Sequence, residues 1–98
     1  MARQPHVDLG QIVATPGAMR ILEHIGVAES LPAWLIEHSY GRCPHLDSFD
    51  QQANMHAVRE GMRILTAWPT GLPGDDAKIW IITEADRSST TILLPSEY

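Results

Sequence analysis

Two apolar runs near the C-terminal end dominate the pattern of hydrophobic and polar positions. Ile79-Trp80-Ile81-Ile82 sets four large apolar residues in a row, three of them β-branched, and Thr90 to Leu94 is a second, shorter run. Over Lys78 to Glu84, Ile79, Ile81 and Thr83 fall on one side of an extended chain and Lys78, Trp80, Ile82 and Glu84 on the other. Both sides are apolar at the middle, which predicts a strand covered on both faces. Pro95 ends the second run, because proline has no amide to give a ladder. The link between them, Ala85-Asp86-Arg87-Ser88-Ser89, is short and polar, which predicts an antiparallel hairpin. It holds no glycine, so the reading is a longer loop on a type I turn, with Asp86 accepting backbone amides.

Upstream the spacing becomes helical. Thr15-Pro16-Gly17-Ala18 predicts a helix start: threonine caps free amides, and proline at the first helical position loses nothing. Ala18, Ile21, Leu22 and Ile25 form its apolar stripe, and Gly26 suits a left-handed cap. A second helix is expected from a Ser30 cap, with Pro32 in its first turn and Leu31, Trp34, Leu35 and His38 on one face. A third is expected from an Asp47 cap to about Glu60, with Gly61 as its stop. Phe49, Ala53 and Ala57, with His56 and Glu60, would line one side, while Asn54 in mid-helix is unfavourable by roughly 0.5–0.7 kcal/mol unless its side chain finds a partner. Met62 to Trp68 reads as a further strand, and Pro69 to Ala77 as a Gly/Pro/Asp-rich loop. Leu9 to Ala14 is extended in character and suits either a short strand or an ordered arm; residues 1 to 8 are expected to be a loose arm. The resulting expectation is one α+β domain over 1–98: two to three N-terminal helices followed by a three-stranded antiparallel β-meander.

Composition narrows the function classes. Ninety-eight residues suit one domain with a thin core, and 44% hydrophobic with 19% charged residues is ordinary for a globular chain. A net charge of −5 disfavours nucleic acid as a partner, since that contact depends on Lys and Arg replacing counterions. The single Cys43 cannot form an internal disulfide, which points to a reducing compartment. No apolar run approaches the ~20 residues of a membrane span, and the N-terminus is too polar for a signal peptide. The expected location is the cytoplasm, with no membrane contact and no cofactor.

Three blocks carry a resemblance: Leu9 to Ala18 (Leu-Gly-Gln-Ile-Val-Ala-Thr-Pro-Gly-Ala), Arg59 to Trp68 (Arg-Glu-Gly-Met-Arg-Ile-Leu-Thr-Ala-Trp) and Lys78 to Tyr98. Together they resemble a group of small bacterial proteins usually labelled hypothetical or plasmid-related. The chain departs from the group at Gly41-Arg42-Cys43-Pro44, where the group reads Gly-Asp-Trp-Gly. The resemblance implies a bacterial source and a mobile-element context, and supplies no activity or catalytic residue.

Candidate chemistry gathers at the hairpin. Lys78, Thr83, Glu84, Asp86, Arg87 and Ser88 could form an anion site, with Arg87 gripping a carboxylate or phosphate through two parallel hydrogen bonds. The structural alternative is a turn stapled by Asp86, with Arg87 paired to Glu84 or Asp86. His38, Cys43 and His45 have zinc-ligand chemistry, but no paired ligand spacing accompanies them, and no metal site is assigned. His56, Lys78, Glu84, Arg87 and Thr90 are types an RNA-cleaving toxin would recruit, an expectation resting on fold analogy. Trp68 and Trp80 lie on neighbouring strands; they could pair, and on a helix-free face they would anchor a partner or a homodimer. The leading expectation is therefore a non-catalytic interaction or accessory protein, with a protein partner or a second copy as its ligand. A small RNase and an anion-binding hairpin tip are the alternatives.

Overall fold

The computed structural model describes residues 5–44 and 46–98. Chain order is β1 (Gln11–Ala14), α1 (Pro16–Ile25), α2 (Val27–Ser39), α3 (Ser48–Glu60), β2 (Ile64–Pro69), β3 (Lys78–Thr83) and β4 (Ser89–Leu93), with short 3-10 turns at Gly74–Asp76 and Pro95–Glu97. The sheet is four-stranded and mixed, in the order β1-β4-β3-β2. This corrects the expectation of helices followed by a three-stranded antiparallel meander. β2 and β4 do pair antiparallel with β3, but β1 precedes the helices and joins β4 in parallel, Gln11 beside Ser89 and Ala14 beside Ile92. The physical reason is the free edge that β4 would otherwise show. Extended backbone at Gln11–Ala14 satisfies it: Gln11 N–H donates to Ser88 O at 3.1 Å and Thr15 N–H to Ile92 O at 3.0 Å.

Local chemistry sets the helix ends. Thr15 is the N-cap of α1, its hydroxyl accepting from Ala18 N–H, with Pro16 in the first turn. Gly26, at φ 90°, closes α1 and at the same residue opens α2. So α2 starts at Val27 rather than after Ser30, and Pro32 lies inside it. Asp47 caps α3 through Asp50 N–H, and Gly61 at φ 72° ends it. The buried side of α3 is only partly the expected one: Ala57 is buried as expected, but Phe49, Ala53, His56 and Glu60 are exposed and Asn54 is buried. Asn54 turns that face inward because its side chain binds β2. Its Nδ2 donates to Leu65 O at 2.8 Å, and Leu65 N–H donates to its Oδ1 at 3.4 Å.

The helices cover one face of the sheet. Register puts Ile64, Thr66 and Trp68 of β2 on that face with Thr83, Ile81 and Ile79 of β3, and then Thr90 and Ile92 of β4. Ile79, Ile81 and Ile92 pack there with Ala18, Ile21, Leu22, Cys43, Trp68 and Leu94. Each fully buried isoleucine contributes roughly 1.5–3 kcal/mol. Val7, Ala57 and Ile64 form a second cluster. Of the segment expected to be loose, residues 1–4 fall outside those described, while Val7 is buried and donates its N–H to Ser39 O at 2.9 Å.

The opposite face carries Leu65, Ala67, Trp80, Ile82, Thr91 and Leu93. Chain after β4 folds over one end of it, where Tyr98 meets Trp80 edge to face at 5.7 Å and Arg63 lies 5.5 Å from the Tyr98 ring centre. Trp68 and Trp80 therefore do not pair. Trp80 is opposite Ala67, one residue out of step with Trp68, so the two indoles point to opposite faces. Trp68 is buried and stacks on Trp34 of α2 with ring centres 5.7 Å apart. Among the described residues no helix is long and apolar enough to cross a membrane.

Candidate functional site

Polar chemistry inside the protein centres on His38. It follows Leu31, Trp34 and Leu35 on the inner stripe of α2 and is fully buried between the helix and the sheet. Its Nδ1 lies 2.7 Å from Thr66 Oγ1 of β2, and its Nε2 lies 2.7 Å from Thr83 Oγ1 of β3. Thr83 Oγ1 lies 2.7 Å from Thr90 Oγ1 of β4, and Thr90 donates to Leu9 O at 2.7 Å. At the other end Trp68 Nε1–H donates to Thr66 Oγ1 at 2.8 Å. No buried side-chain nitrogen or oxygen among the described residues is left without a partner.

Proton counting then assigns every donor. Thr90 has one hydroxyl proton, and Leu9 O takes it. Thr83 must therefore donate to Thr90, and can only accept from His38. That places the imidazole proton on Nε2 and leaves Nδ1 as an acceptor, filled by the Thr66 hydroxyl. The chain runs one way, from the Trp68 indole through Thr66, His38, Thr83 and Thr90 to the Leu9 carbonyl. Hydrogen bonds aligned in this way polarise and strengthen one another. A second proton on the imidazole would reverse one link and leave the Thr66 hydroxyl proton without an acceptor. Burial away from water, reinforced by the positive charge of Arg87, pushes the His38 pKa down from 6.5 to about 4. At neutral pH His38 is a neutral strut joining α2 to three strands.

At the hairpin tip the turn is stapled by its own side chains. Arg87 N–H donates to Glu84 O at 2.9 Å, and Asp86 Oδ1 accepts from Ser88 N–H at 3.0 Å and from the Ser88 hydroxyl at 2.6 Å. Those bonds hold the Asp86 carboxyl below its ordinary range. Arg87 itself has a positive φ of 62°, and its guanidinium reaches across to the end of α3. It donates to Met62 O at 2.6 Å, to Ala57 O at 3.1 Å and to the backbone Glu84 O at 3.4 Å, so it caps the carbonyl end of that helix and the turn, rather than pairing with the Glu84 or Asp86 carboxylates.

The sequence-derived candidates therefore separate. Asp86, Arg87 and Ser88 meet at the tip, with Glu84 exposed beside them, but their polar groups serve the turn and α3. Thr83 is fully buried in the His38 chain. Lys78 begins β3 whereas Glu84 follows its end, roughly 20 Å away at the rise of a strand. His56 is exposed on α3 and Thr90 is buried, so the residues of an RNA-cleaving site are not brought together. Cys43 is buried and donates its thiol proton to Ala67 O at 3.0 Å, while His45 lies outside the described residues. Among the described residues no three His, Cys, Asp or Glu side chains are placed to hold a metal ion.

Two features escaped the sequence reading. One is the threonine cradle of His38; its signal was Thr66, Thr83 and Thr90 each on the inward phase of a strand, facing a histidine on an apolar stripe. The other is Glu97, whose carboxylate accepts from the Thr15 hydroxyl, from Gly17 N–H at 3.2 Å and from Leu94 N–H at 2.9 Å. It sits at the N-terminus of α1 and ties the C-terminal segment to it, and the Thr15 hydrogen bond, foremost, holds its pKa down.

The two edges of the sheet differ. Along β2, Asn54 occupies the backbone groups of Leu65, and Cys43 that of Ala67. Along β1, Ile12 and Val13 are 46% and 41% exposed, and Met19 of α1 beside them is 52% exposed. A shallow apolar groove runs there, lined by Ile12, Val13, Ala14, Met19, Leu22 and Leu31, with Glu23 also on its wall. Comparison of the chain with protein-family models, with curated proteins and with solved structures finds no match.

Proposed function

We propose that this chain is a non-catalytic interaction or accessory protein of the cytoplasm that engages a protein through the β1 edge. The observation that carries the reading is an edge strand with exposed apolar side chains on both faces, Ile12 beside Met19 on the helix side and Val13 on the other, the kind of surface that marks protein contacts. Its polar groups point the same way. Thr83, Asp86, Arg87 and Ser88 are all engaged in holding elements together. Resemblance to small bacterial proteins labelled plasmid-related agrees with an accessory role on a mobile element.

The test is a photo-crosslinking amino acid placed in vivo at Ile12, with exposed Asp75 on the Gly74–Asp76 turn between β2 and β3 as control. A discrete adduct at Ile12 and none at Asp75 is expected. The reading is overturned if Ile12 gives no adduct, or if the purified metal-free protein turns over RNA in a way that Arg87→Ala or His56→Ala abolishes.

A further inference from the structure

Edge strands with free hydrogen-bonding groups recruit other strands, so proteins blunt them with charge, proline, bulges or covering side chains. Here the β2 edge is covered by Asn54 and Cys43. β1, Gln11-Ile12-Val13-Ala14, holds no charge, no proline and no bulge. Gln11 and Thr15 direct their amides at β4, so by strand alternation Ile12 and Ala14 direct theirs, and their carbonyls, away from the sheet.

We infer that two copies of this chain pair antiparallel through β1, joining two four-stranded sheets into one continuous sheet. This rests on the interaction-protein reading above and names the partner. A two-fold axis at Val13 sets Ile12 opposite Ala14 of the second copy, and Ala14 opposite its Ile12. The outward amides and carbonyls then exchange about four hydrogen bonds. Register also matches the surface. Ile12 and Ala14 share the helix-side face with Thr90 and Ile92, and the groove lies on that side. The large Ile12 of one copy enters the groove above the small Ala14 of the other, beside Met19, Leu22 and Leu31.

A second copy fits better than an unstructured peptide because β1 is already extended and bonded to β4. Both partners therefore meet with ordering entropy already spent. The contact is small, one four-residue strand and the shallow groove beside it from each copy, at the low end of the size range of protein interfaces. The dimer is accordingly weak and concentration-dependent.

Sedimentation of the full chain, from low micromolar to near-millimolar, is expected to show the mass rising from 10.9 kDa toward twice that value. Ile12→Glu places a carboxylate near Glu23 and is expected to hold the chain at monomer mass. Amide hydrogen exchange on the wild type gives a reading independent of any variant. Protection of Ile12 and Ala14 should increase severalfold with concentration, while Val13, bonded within the monomer, should not change. A wild type that stays monomeric at the highest concentration overturns the inference. So does a dimer that Ile12→Glu leaves intact, or one in which Ile12 and Ala14 gain no protection. A monomer whose Ile12 crosslinks to another protein sinks the self-pairing but keeps the interaction reading; no Ile12 adduct at all sinks both.

Discussion

Acid should weaken this protein well before its carboxylates titrate. The perturbation is a change from pH 7.5 to pH 5. In the unfolded chain a histidine titrates near 6.5, whereas folded His38 is pushed down to about 4. A depressed folded pKa means that the unfolded state binds the proton first, so stability is complete above about pH 6.5 and falls as the pH drops toward 4. Integrating between the two values gives a loss of about 2 kcal/mol at pH 5 and about 3 kcal/mol at pH 4. Well below pH 4 both states carry the proton and His38 adds nothing more. Asp86 and Glu97 are also depressed, but an ordinary carboxylate titrates near 4, so their share is lost below that window. Urea unfolding followed by tryptophan fluorescence reads this directly, since Trp34 and Trp68 stack next to the site. With a slope of ~1–1.5 kcal/mol/M, the midpoint should fall by roughly 1.3–2 M between pH 7.5 and pH 5. His38→Phe keeps the other histidines and should flatten the dependence, whatever its own stability. A wild-type midpoint that is level across this range would refute the buried, neutral imidazole.

Other substitutions test separate links. Thr66→Val removes the hydroxyl that serves both His38 Nδ1 and Trp68 Nε1; a loss of about 2–5 kcal/mol in urea unfolding is expected, while Thr66→Ser should lose about 1 kcal/mol. Asn54→Ala removes both bonds to Leu65 but gains helix propensity, so a net loss of about 1 kcal/mol is expected, together with faster aggregation from the uncovered β2 edge, read by light scattering. Gly10 has a φ of 64°, and a β-carbon there would lie 2.4 Å from Ser88 O. Gly10→Ala is therefore expected to cost at least about 1 kcal/mol in the same assay and to speed amide exchange at Gln11, whose N–H bonds to Ser88 O.

Wherever the decisive physics was local, the sequence was enough. Thr15 and Pro16 open α1, Asp47 opens α3, Gly26 and Gly61 close the two, and Asp86 staples the hairpin, each through bonds made within a few residues. The runs around Ile81 and Ile92 marked strands because β-branched residues at a period of two have few other uses. What lay beyond that range was settled by folding. Gln11 meets Ser89 across most of the chain, and nothing near Gln11 announces a parallel partner. The start of α2 moved because Gly26 serves two helices at once. On α3 the stripe gives Ala57 but not Asn54, which is unfavourable by propensity and is turned inward by its bonds to β2. Arg87 looked free to grip an anion, but the carbonyls it serves are those of Ala57 in α3, Met62 just beyond it and Glu84 in its own turn. The His38 chain joins α2, β2, β3, β4 and Leu9, and no window of sequence contains them all. Caps, turns and periodicity are short-range and therefore legible along the chain. Strand partnership, the protonation of a buried imidazole and the difference between a covered and an open edge depend on groups that only the tertiary structure brings within hydrogen-bond reach.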